Sequence, residues 1–486
     1  MASTRHTSKW LVLAITATAT LLGTSDYSIV IIAFPTFAQV FETSTSTVVW
    51  VALAFQLVTL GLVLPMGRIG DLYGRRRVLV IGMAVYTAGL VLAALSPNIL
   101  FLIGVRAMLG VAAAMTGAIS VAIVTSAFPS SERGKVLGLT ASVAGIGLMV
   151  GPALGGILLD TLGWQAIFYV RAPVALLSLL LAARYLPTDS PSVSSGRMDF
   201  RGSVLIFLAL GGMAIGINQG DDRGWSSPEV MGLLAGGAAA MAGFVVHQLR
   251  TESPVIDLRM FNRWGFTVAN GVHLFFTAST AAMTFLLPFY LVIGRSFSPT
   301  MAGLLLLSSP ALQALAAPFV GRLSDRLGPR VLTPLGLASS ATGLFLVSTL
   351  TVDSPATMIV GYFLVVGAGT ALFATPNQSS ILGAAPQGRL GTVSALISTT
   401  RNIGLIAGLA TAEAIFIGVA PDVGKAGGVV SGDPALSASV VEGMSTTVRV
   451  FASMVTVAML FSLTRGKRQA PPREETPSAT ESLRKE

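Results

Sequence analysis

Long runs of apolar residues, separated by short polar segments, fill most of this chain. A helix that crosses a bilayer needs about 20 mainly apolar residues, and about fourteen runs satisfy that requirement. They lie near residues 10–37, 48–67, 78–95, 99–127, 136–159, 166–186, 202–218, 230–249, 265–294, 300–321, 331–350, 356–375, 390–419 and 444–464. The pattern therefore predicts an all-α membrane protein.

Composition supports this interpretation. Of the 486 residues, 53% are hydrophobic and only 11% are charged, whereas soluble domains carry about 25% charged residues. A soluble core cannot absorb so much apolar surface, so the lipid must serve as solvent. The first run is too long for a cleaved signal peptide, contains Asp26, and lacks a small-residue cleavage site.

The net charge of +9 follows the predicted topology. Basic residues gather in alternate short segments, as the positive-inside rule requires. These segments hold Arg5, Lys9, Arg68, Arg75, Arg76, Arg77, Arg133, Lys135, Arg184, Arg197, Arg201, Arg250, Arg259, Arg263, Arg322, Arg326, Arg330, Arg389 and Arg465. The other loops hold little beyond Arg223, Arg295 and Lys425. The asymmetry predicts a multi-pass plasma-membrane (inner-membrane) protein with both termini in the cytoplasm, and it explains the charge without nucleic-acid binding.

Several chemistries lack the residues they need. The chain has no cysteine, and its three histidines are scattered without metal-ligand spacing. No metal and no cofactor is expected. A membrane enzyme would need paired acids, a histidine cluster or a phosphate-binding loop, and a sensor would need a sizeable soluble domain. The sequence contains neither, so a non-enzymatic transporter is expected, with a small-molecule substrate, protons and the bilayer as its partners and a monomer as its oligomeric state.

A charged loop occurs twice. The segment 67–77, GRIGDLYGRRR, returns in weaker form at 321–330 as GRLSDRLGPR, and each copy lies between two apolar runs. The matching positions are Gly67 and Gly321, Arg68 and Arg322, Asp71 and Asp325, and Gly74 and Gly328. Such a repeat predicts a duplicated membrane unit.

The pattern G-x-x-x-D-x-x-G-R-[RK] of this loop resembles the signature loop between the second and third spans of the major facilitator superfamily. Six spans, two spans and six spans resemble its fourteen-span drug:proton antiporter branch over nearly the whole chain. The two loop copies place a six-helix bundle at 1–187 and another at 264–464, with two inserted helices and linkers at 188–263, as in that branch. The resemblance does not cover the segment 465–486, whose residues, rich in Pro, Glu, Ser and Thr, predict a disordered cytoplasmic tail.

An aspartate and an arginine lie inside predicted spans. A carboxylate in hydrocarbon is costly unless it is paired, protonated or hydrated, so Asp26 is a functional candidate, although a structural salt bridge would also explain it. Helix rise places Asp26 roughly 24 Å outward from Trp10, and Arg106 about 10 Å inward from Ile99, so both fall in the outer half and could meet. The surrounding residues resemble the family motifs L-D-x-T-I-V-x-x-A-L-P and R-x-x-Q-G, which implies proton coupling, although Leu109 replaces the usual Gln.

The fifth predicted span is rich in small residues. Gly147, Gly151 and Gly155 share one helix face, which permits close backbone packing, and Pro152 permits a kink. With Gly156 they resemble the antiporter motif G-x-x-x-G-P-x-x-G-G, which implies export.

The resemblance also implies a cytoplasmic latch. Asp71 would cap the helix that starts near residues 390–392, through the macrodipole, and Arg75 would pair with the acid after the fourth span, here Glu132. The latch residues are Gly67, Asp71, Gly74, Arg75, Arg76 and Glu132.

Polar residues in the second half are candidates for lining a substrate cavity. Glu413 either recognises a cationic substrate, forms a second proton site, or reaches the outer water. Asn270 and His273 share a helix face, with His273 as a packing residue or a proton carrier, and Asn377 and Gln378 end the span at 356–375.

Two further arginines lie in segments that match family patterns only in part. Arg401 resembles a family arginine in T-R-N-I-G, with Asn402 for Gln, and Arg171 stands where W-R-W-I-F-x-I-N-V-P has Asn, so no role follows for it. The sequence as a whole predicts a proton-coupled exporter of amphipathic compounds, with cationic ones favoured, that works by alternating access. An exporter of an endogenous lipid or metabolite is the alternative.

Overall fold

The computed structural model describes residues 8–129, 132–187, 199–251, 254, 256, 258–383, 390–425 and 433–464, and the regular elements of this part are all helices. The first half forms α1 (Lys9–Ile31), α2 (Phe34–Val40), α3 (Thr45–Tyr73), α4 (Arg75–Ala94), α5 (Ile99–Ala127), α6 (Arg133–Leu162), α7 (Ala166–Tyr169) and α8 (Ala172–Tyr185). Next come α9 (Phe200–Arg223) and α10 (Pro228–Arg250). The second half forms α11 (Trp264–Phe289), α12 (Pro299–Leu327), α13 (Pro329–Val347), α14 (Ala356–Gly383), α15 (Leu390–Val419), α16 (Pro421–Gly424) and α17 (Pro434–Leu463).

Thirteen helical segments of the described chain are long and apolar enough to cross a membrane, and α1 with α2, joined at a bend of 59°, makes a fourteenth. The predicted fold class and span number are confirmed. The first span is bent because Pro35, in the first turn of α2, cannot donate a hydrogen bond back into α1. The predicted tail, 465–486, lies outside the described residues.

The two largest differences from the predicted span boundaries are the start of the last helix and the end of α14. The last helix starts ten residues early, at Pro434 instead of 444, where the Asp433 carboxylate accepts a hydrogen bond from the Ala435 N–H at 2.9 Å. Helix α14 continues to Gly383, so Asn377 and Gln378 lie within it instead of at its end.

The repeated loop has the same backbone in both halves. Gly74 joins α3 to α4 with φ +100°, and Gly328 joins α12 to α13 with φ +76°. Side chains with a Cβ rarely adopt this left-handed region, so glycine is required at the same step of each repeat.

The helices pack as two groups and an inserted hairpin. Helix α1 packs on α5, α6 and α8, and α3 and α4 pack on α5; in the second half α13 packs on α14 and α17, and α11 on α15 and α17. The hairpin α9–α10 lies beside the seam between the groups, because α9 packs on both α3 and α15. Trp50 Nε1 donates to Asn218 Oδ1 at 2.8 Å and fastens α9 to α3.

The helices end at two levels. At one, which we call the basic end, Lys9 Nζ pairs with Glu132 at 2.7 Å, and Trp264 Nε1 donates to the Thr464 carbonyl at 3.3 Å. The first contact joins the starts of α1 and α6, and the second joins the start of α11 to the end of α17. The opposite level, the far end, carries the contact in which Thr45 Oγ1 donates to the Val423 carbonyl at 2.8 Å.

The two groups meet at the far end and open toward the basic end. Near the far end, α6 and α12 pack closely, because a Cβ added at Gly303 would lie only 3.1 Å from Ala153 Cα. In the basic half of the same helices, an added Cβ at Gly138, Gly145 or Gly321 would have no heavy atom within 4 Å. Leu315 on α12 is 72% exposed there. The structure therefore holds a V-shaped opening on the basic side.

An aspartate clasp closes the base of the inserted hairpin. Asp199 caps α9 by accepting from the Gly202 N–H at 2.8 Å, and its carboxylate also pairs with His247 Nε2 at 2.6 Å and accepts from Gln248 Nε2 at 2.6 Å. Burial acts to raise the pKa of Asp199, but the hydrogen bonds from Gly202, His247 and Gln248 outweigh it and hold the pKa below 3.8.

The clasp should contribute stability that depends on pH. Asp199→Ala should lower the free energy of unfolding by about 1–2 kcal/mol, as for other N-cap losses. Because the pKa is lower in the folded protein, the advantage of wild type over Asp199→Ala is complete above pH 3.8 and is lost as the pH falls below it. Thermal unfolding in detergent as a function of pH measures this. Asp422→Ala, which removes the exposed partner of Lys425, is the control and should change stability little; an equal loss in both variants would contradict the assignment.

Candidate functional site

Asp26 lies on α1 with 0% exposure and binds two arginines. Arg106 on α5 donates through Nη1 to Asp26 Oδ2, and Arg171 at the start of α8 donates through Nη1 to Asp26 Oδ1 at 2.6 Å. The predicted meeting of Asp26 with Arg106 is present. Three helices, α1, α5 and α8, are thus joined by one carboxylate.

Neighbouring groups fix both guanidinium groups in place. Arg106 Nε donates to the Val51 carbonyl at 2.8 Å, and its Cζ lies 4.5 Å from the centre of the Phe55 ring. Arg171 Nε donates to the Ile167 carbonyl at 2.7 Å. These contacts reduce the rotamer freedom of both side chains and aim their terminal nitrogens at Asp26.

The cluster carries an excess positive charge. One carboxylate faces two guanidinium groups, and within the described residues the Nη2 atoms of Arg106 and Arg171 are buried without a hydrogen-bond partner. Two like charges in a low-dielectric interior repel each other strongly. The ionised aspartate therefore holds together two helices that would otherwise be pushed apart.

Arg171 was missed because it falls at a position where the family pattern has Asn. A charge inside a span is a functional candidate by default, and the depth of Arg171 in the membrane can be calculated from its position in the span. Arg171 lies five residues, or roughly 8 Å, from the outer start of its predicted span, which is the same outer half that contains Asp26. The depth comparison that joined Asp26 to Arg106 would have found it.

The glycine-rich helix α6 contacts two partners through two faces. An added Cβ would lie 3.0 Å from the Leu21 carbonyl oxygen at Gly147, and 3.1 Å from the Ile29 N at Gly151 and from the Ile29 carbonyl oxygen at Gly155. The predicted shared face therefore packs on α1, the helix that carries Asp26.

Gly156 lies on a different face of α6, which packs against α12. An added Cβ there would lie 2.9 Å from the carbonyl carbon of Pro299 on α12, and Pro152 contacts Gly303 of the same helix. Helix α6 thus touches the Asp26 helix on one side and the opposite bundle on the other.

The latch residues are paired differently from the expectation. Arg75 Nη2 pairs with Asp71 of its own turn at 2.9 Å, and Glu132 pairs with Lys9 at 2.7 Å, so the predicted pairing of Arg75 with Glu132 is wrong for this conformation. All four residues lie in the first bundle, so the change is a different choice of ionic partners within that bundle. Arg76 donates to the Ala183 carbonyl. The capping of α15 by Asp71 stays a prediction, since residues 384–389 lie outside the described chain.

The cavity candidates have different surroundings. Asn270 Nδ2 donates to the Phe266 carbonyl at 2.9 Å, Asn377 Nδ2 donates to the Ala269 carbonyl at 3.2 Å, and Gln378 is exposed. His273 is half-buried on α11. Glu413 is only 1% exposed, so it does not reach the outer water in this structure.

Two helical bundles that meet at one end, with buried charge inside one of them, define a membrane transporter. The chain belongs to the Major Facilitator Superfamily, whose family profile matches residues 16–409. It is 33% identical over 414 residues to the riboflavin transporter RibZ of Clostridioides difficile (strain 630), covering 84% of this chain and 88% of that protein.

A second relative is the multidrug resistance protein Stp of Mycobacterium tuberculosis (strain CDC 1551 / Oshkosh), 32% identical over 386 residues that cover 79% of this chain and 72% of that protein. Among solved structures, a bacterial homolog to the human lysosomal transporter Spinster, in an inward-facing and unoccupied conformation, matches with a TM-score of 0.68. It is 15% identical and covers 94% of this chain and 96% of that one, a likeness in fold alone.

Proposed function

We propose that the protein is a proton-coupled exporter of amphipathic small molecules that works by alternating access. The observation that carries the proposal is the buried Asp26 bound by Arg106 and Arg171. A titratable acid that joins three helices links a proton to their packing. The glycine face of α6 and the relatives that confer multidrug resistance support export as the direction.

Protonation of Asp26 would change the cluster in a defined way. The neutral acid no longer offsets the two arginines, so α5 and α8 repel each other and α1 is released from both. Because α1 packs on the glycine face of α6, and α6 contacts α12 through Gly156, movement of α1 is passed to the seam between the bundles. Protonation from outside thus favours outward release of substrate, and deprotonation to the cytosol restores the pairing described above.

The topology completes the proposal. We assign the basic end to the cytoplasm by the positive-inside rule, which makes this an inward-open state of a plasma-membrane monomer with both termini inside. The units are the bundles 1–187 and 264–464, the inserted pair 188–263, and the tail 465–486. The sequence favoured cationic substrates. Because Asp26 is already paired with two arginines, recognition of a cation would fall to Glu413.

Export of a metabolite is a second candidate, because RibZ is a riboflavin transporter and aligns with 84% of this chain. Transport in inside-out vesicles decides between these candidates and tests the coupling. We expect uptake of drug-like dyes that requires an inward-acid pH gradient and stops when a protonophore is added. Gradient-driven uptake of riboflavin but of no dye would favour the second candidate, and uptake that ignores the gradient would contradict proton coupling.

A further inference from the structure

Arg401 projects into the space between the bundles. It precedes Gly404 by one turn of α15, and Gly404 and Gly408 pack against Thr277 and Ala278 of α11, so Arg401 lies on the face that α15 turns to α11. Arg401 is exposed, yet it interacts electrostatically with Tyr27 of α1 and His273 of α11. Its guanidinium therefore borders the V-shaped opening, not the lipid.

Polar atoms without hydrogen-bond partners lie on α1 and α11, the helices that carry Tyr27 and His273. In the described part of the chain, Tyr27 Oη, His273 Nε2 and Asn270 Oδ1 are buried and make no hydrogen bond. Asn270 is only 2% exposed and shares a helix face with His273. Buried polar atoms are almost always hydrogen-bonded in native proteins, so these three atoms indicate that something else pairs with them.

The charges near Arg401 leave it open to an acceptor. No ion pair of Arg401 occurs among the described residues. Asp26 is occupied by Arg106 and Arg171. Glu413, on the same helix, lies twelve residues, or roughly 18 Å, further along. A guanidinium carries five N–H donors in a planar fork that matches carboxylates and other electron-rich oxygens.

We propose that Arg401, Tyr27, His273 and Asn270 form the polar subsite of the substrate cavity, and that it selects amphipathic compounds with a carboxylate or comparable oxygen-rich group. Arg401 and the Tyr27 hydroxyl donate to the acceptor oxygens, while Asn270 Oδ1 accepts from a neighbouring hydroxyl or N–H. This subsite rests on the proposed function, since it names the substrate class of that cavity. The preference is opposite to the cationic one that the sequence favoured.

Equilibrium binding to the full-length protein in lipid nanodiscs tests this subsite. The probes are a cationic rhodamine methyl ester and its free carboxylic acid, which differ only at the carboxylate, and fluorescence anisotropy gives their affinities. We expect wild type to bind the acid about tenfold more tightly than the ester, which corresponds to about 1.4 kcal/mol. Arg401→Gln should remove that difference by weakening the acid, Arg401→Lys should keep part of it, and Tyr27→Phe should weaken the acid several-fold.

Arg449→Gln is the matched control, because Arg449 is an exposed arginine on α17 and its loss changes the net charge equally; it should leave the acid preference intact. The proposal is overturned if the ester binds as tightly as the acid, if the preference survives in Arg401→Gln, or if neither probe binds. Binding needs no pH gradient, so an acid preference without gradient-driven transport would refute the proposed coupling and leave the subsite standing. Gradient-driven transport with an ester preference would support the proposed coupling and refute the subsite.

Discussion

Asp26→Asn should reduce substrate-induced proton release from proteoliposomes at least tenfold, because an amide cannot titrate at the centre of the cluster. The substitution should also destabilise the fold. It leaves Arg106 and Arg171 buried without their counter-charge, and removing one partner of a buried ion pair costs about 3–5 kcal/mol. A loss of activity alone would therefore not separate coupling from folding.

A double variant separates the two effects. Asp26→Asn combined with Arg171→Asn removes one positive charge together with the negative one, so its melting temperature should lie closer to wild type than that of Asp26→Asn. Proton release should remain absent. Arg171→Asn alone keeps a titratable acid with Arg106 and should still release protons. Asp353→Asn, at an exposed turn, should behave as wild type, and full proton release in the double variant would refute the role of Asp26.

The sequence predicted the parts of this site that depend on depth and spacing. The repeated loop required glycine at two equivalent turns, and the residue count along each span placed Asp26 level with Arg106. Helix rise is nearly constant, so such counts give depth reliably. The role of Asp26 in proton coupling remains a prediction that these experiments test.

Other parts were not available from sequence. Ionic partners on the basic end depend on how the helix ends of the first bundle pack, so the pairing of Glu132 with Lys9 instead of Arg75 could not be inferred from spacing. Arg401 was visible as an intramembrane charge, but its neighbours come from α1 and α11, and only the packing of both bundles brings them together. The start of α17 at Pro434 was missed because its capping residue, Asp433, lies outside any apolar run.

Gly156→Ala should shift the protein out of the inward-open state. The added Cβ would lie 2.9 Å from the carbonyl carbon of Pro299 and 3.3 Å from Gly303 Cα, and both are backbone atoms that cannot rotate away. Overpacking of this kind costs about 1–3 kcal/mol, so the inward-open population should fall roughly 5- to 150-fold relative to states in which the far end is open. Transport should fall with it, because the cycle needs both states.

Distances at the basic end report this shift directly. The chain has no native cysteine, so spin labels at Ser142→Cys on α6 and Leu315→Cys on α12 are specific. Ser142 lies fourteen residues from Gly156 and Leu315 sixteen residues from Pro299 along antiparallel helices, so both are roughly 21–24 Å from that contact and at a similar level. Double electron–electron resonance should show a shorter distance in Gly156→Ala than in wild type.

Gly145→Ala on the same helix is the control, because its added Cβ meets no heavy atom within 4 Å, and it should leave the distance unchanged. Gly303→Ala, whose Cβ would meet the Pro152 backbone from the other side, should reproduce the shift; an unchanged distance in both far-end variants would show that this contact does not hold the inward-open state.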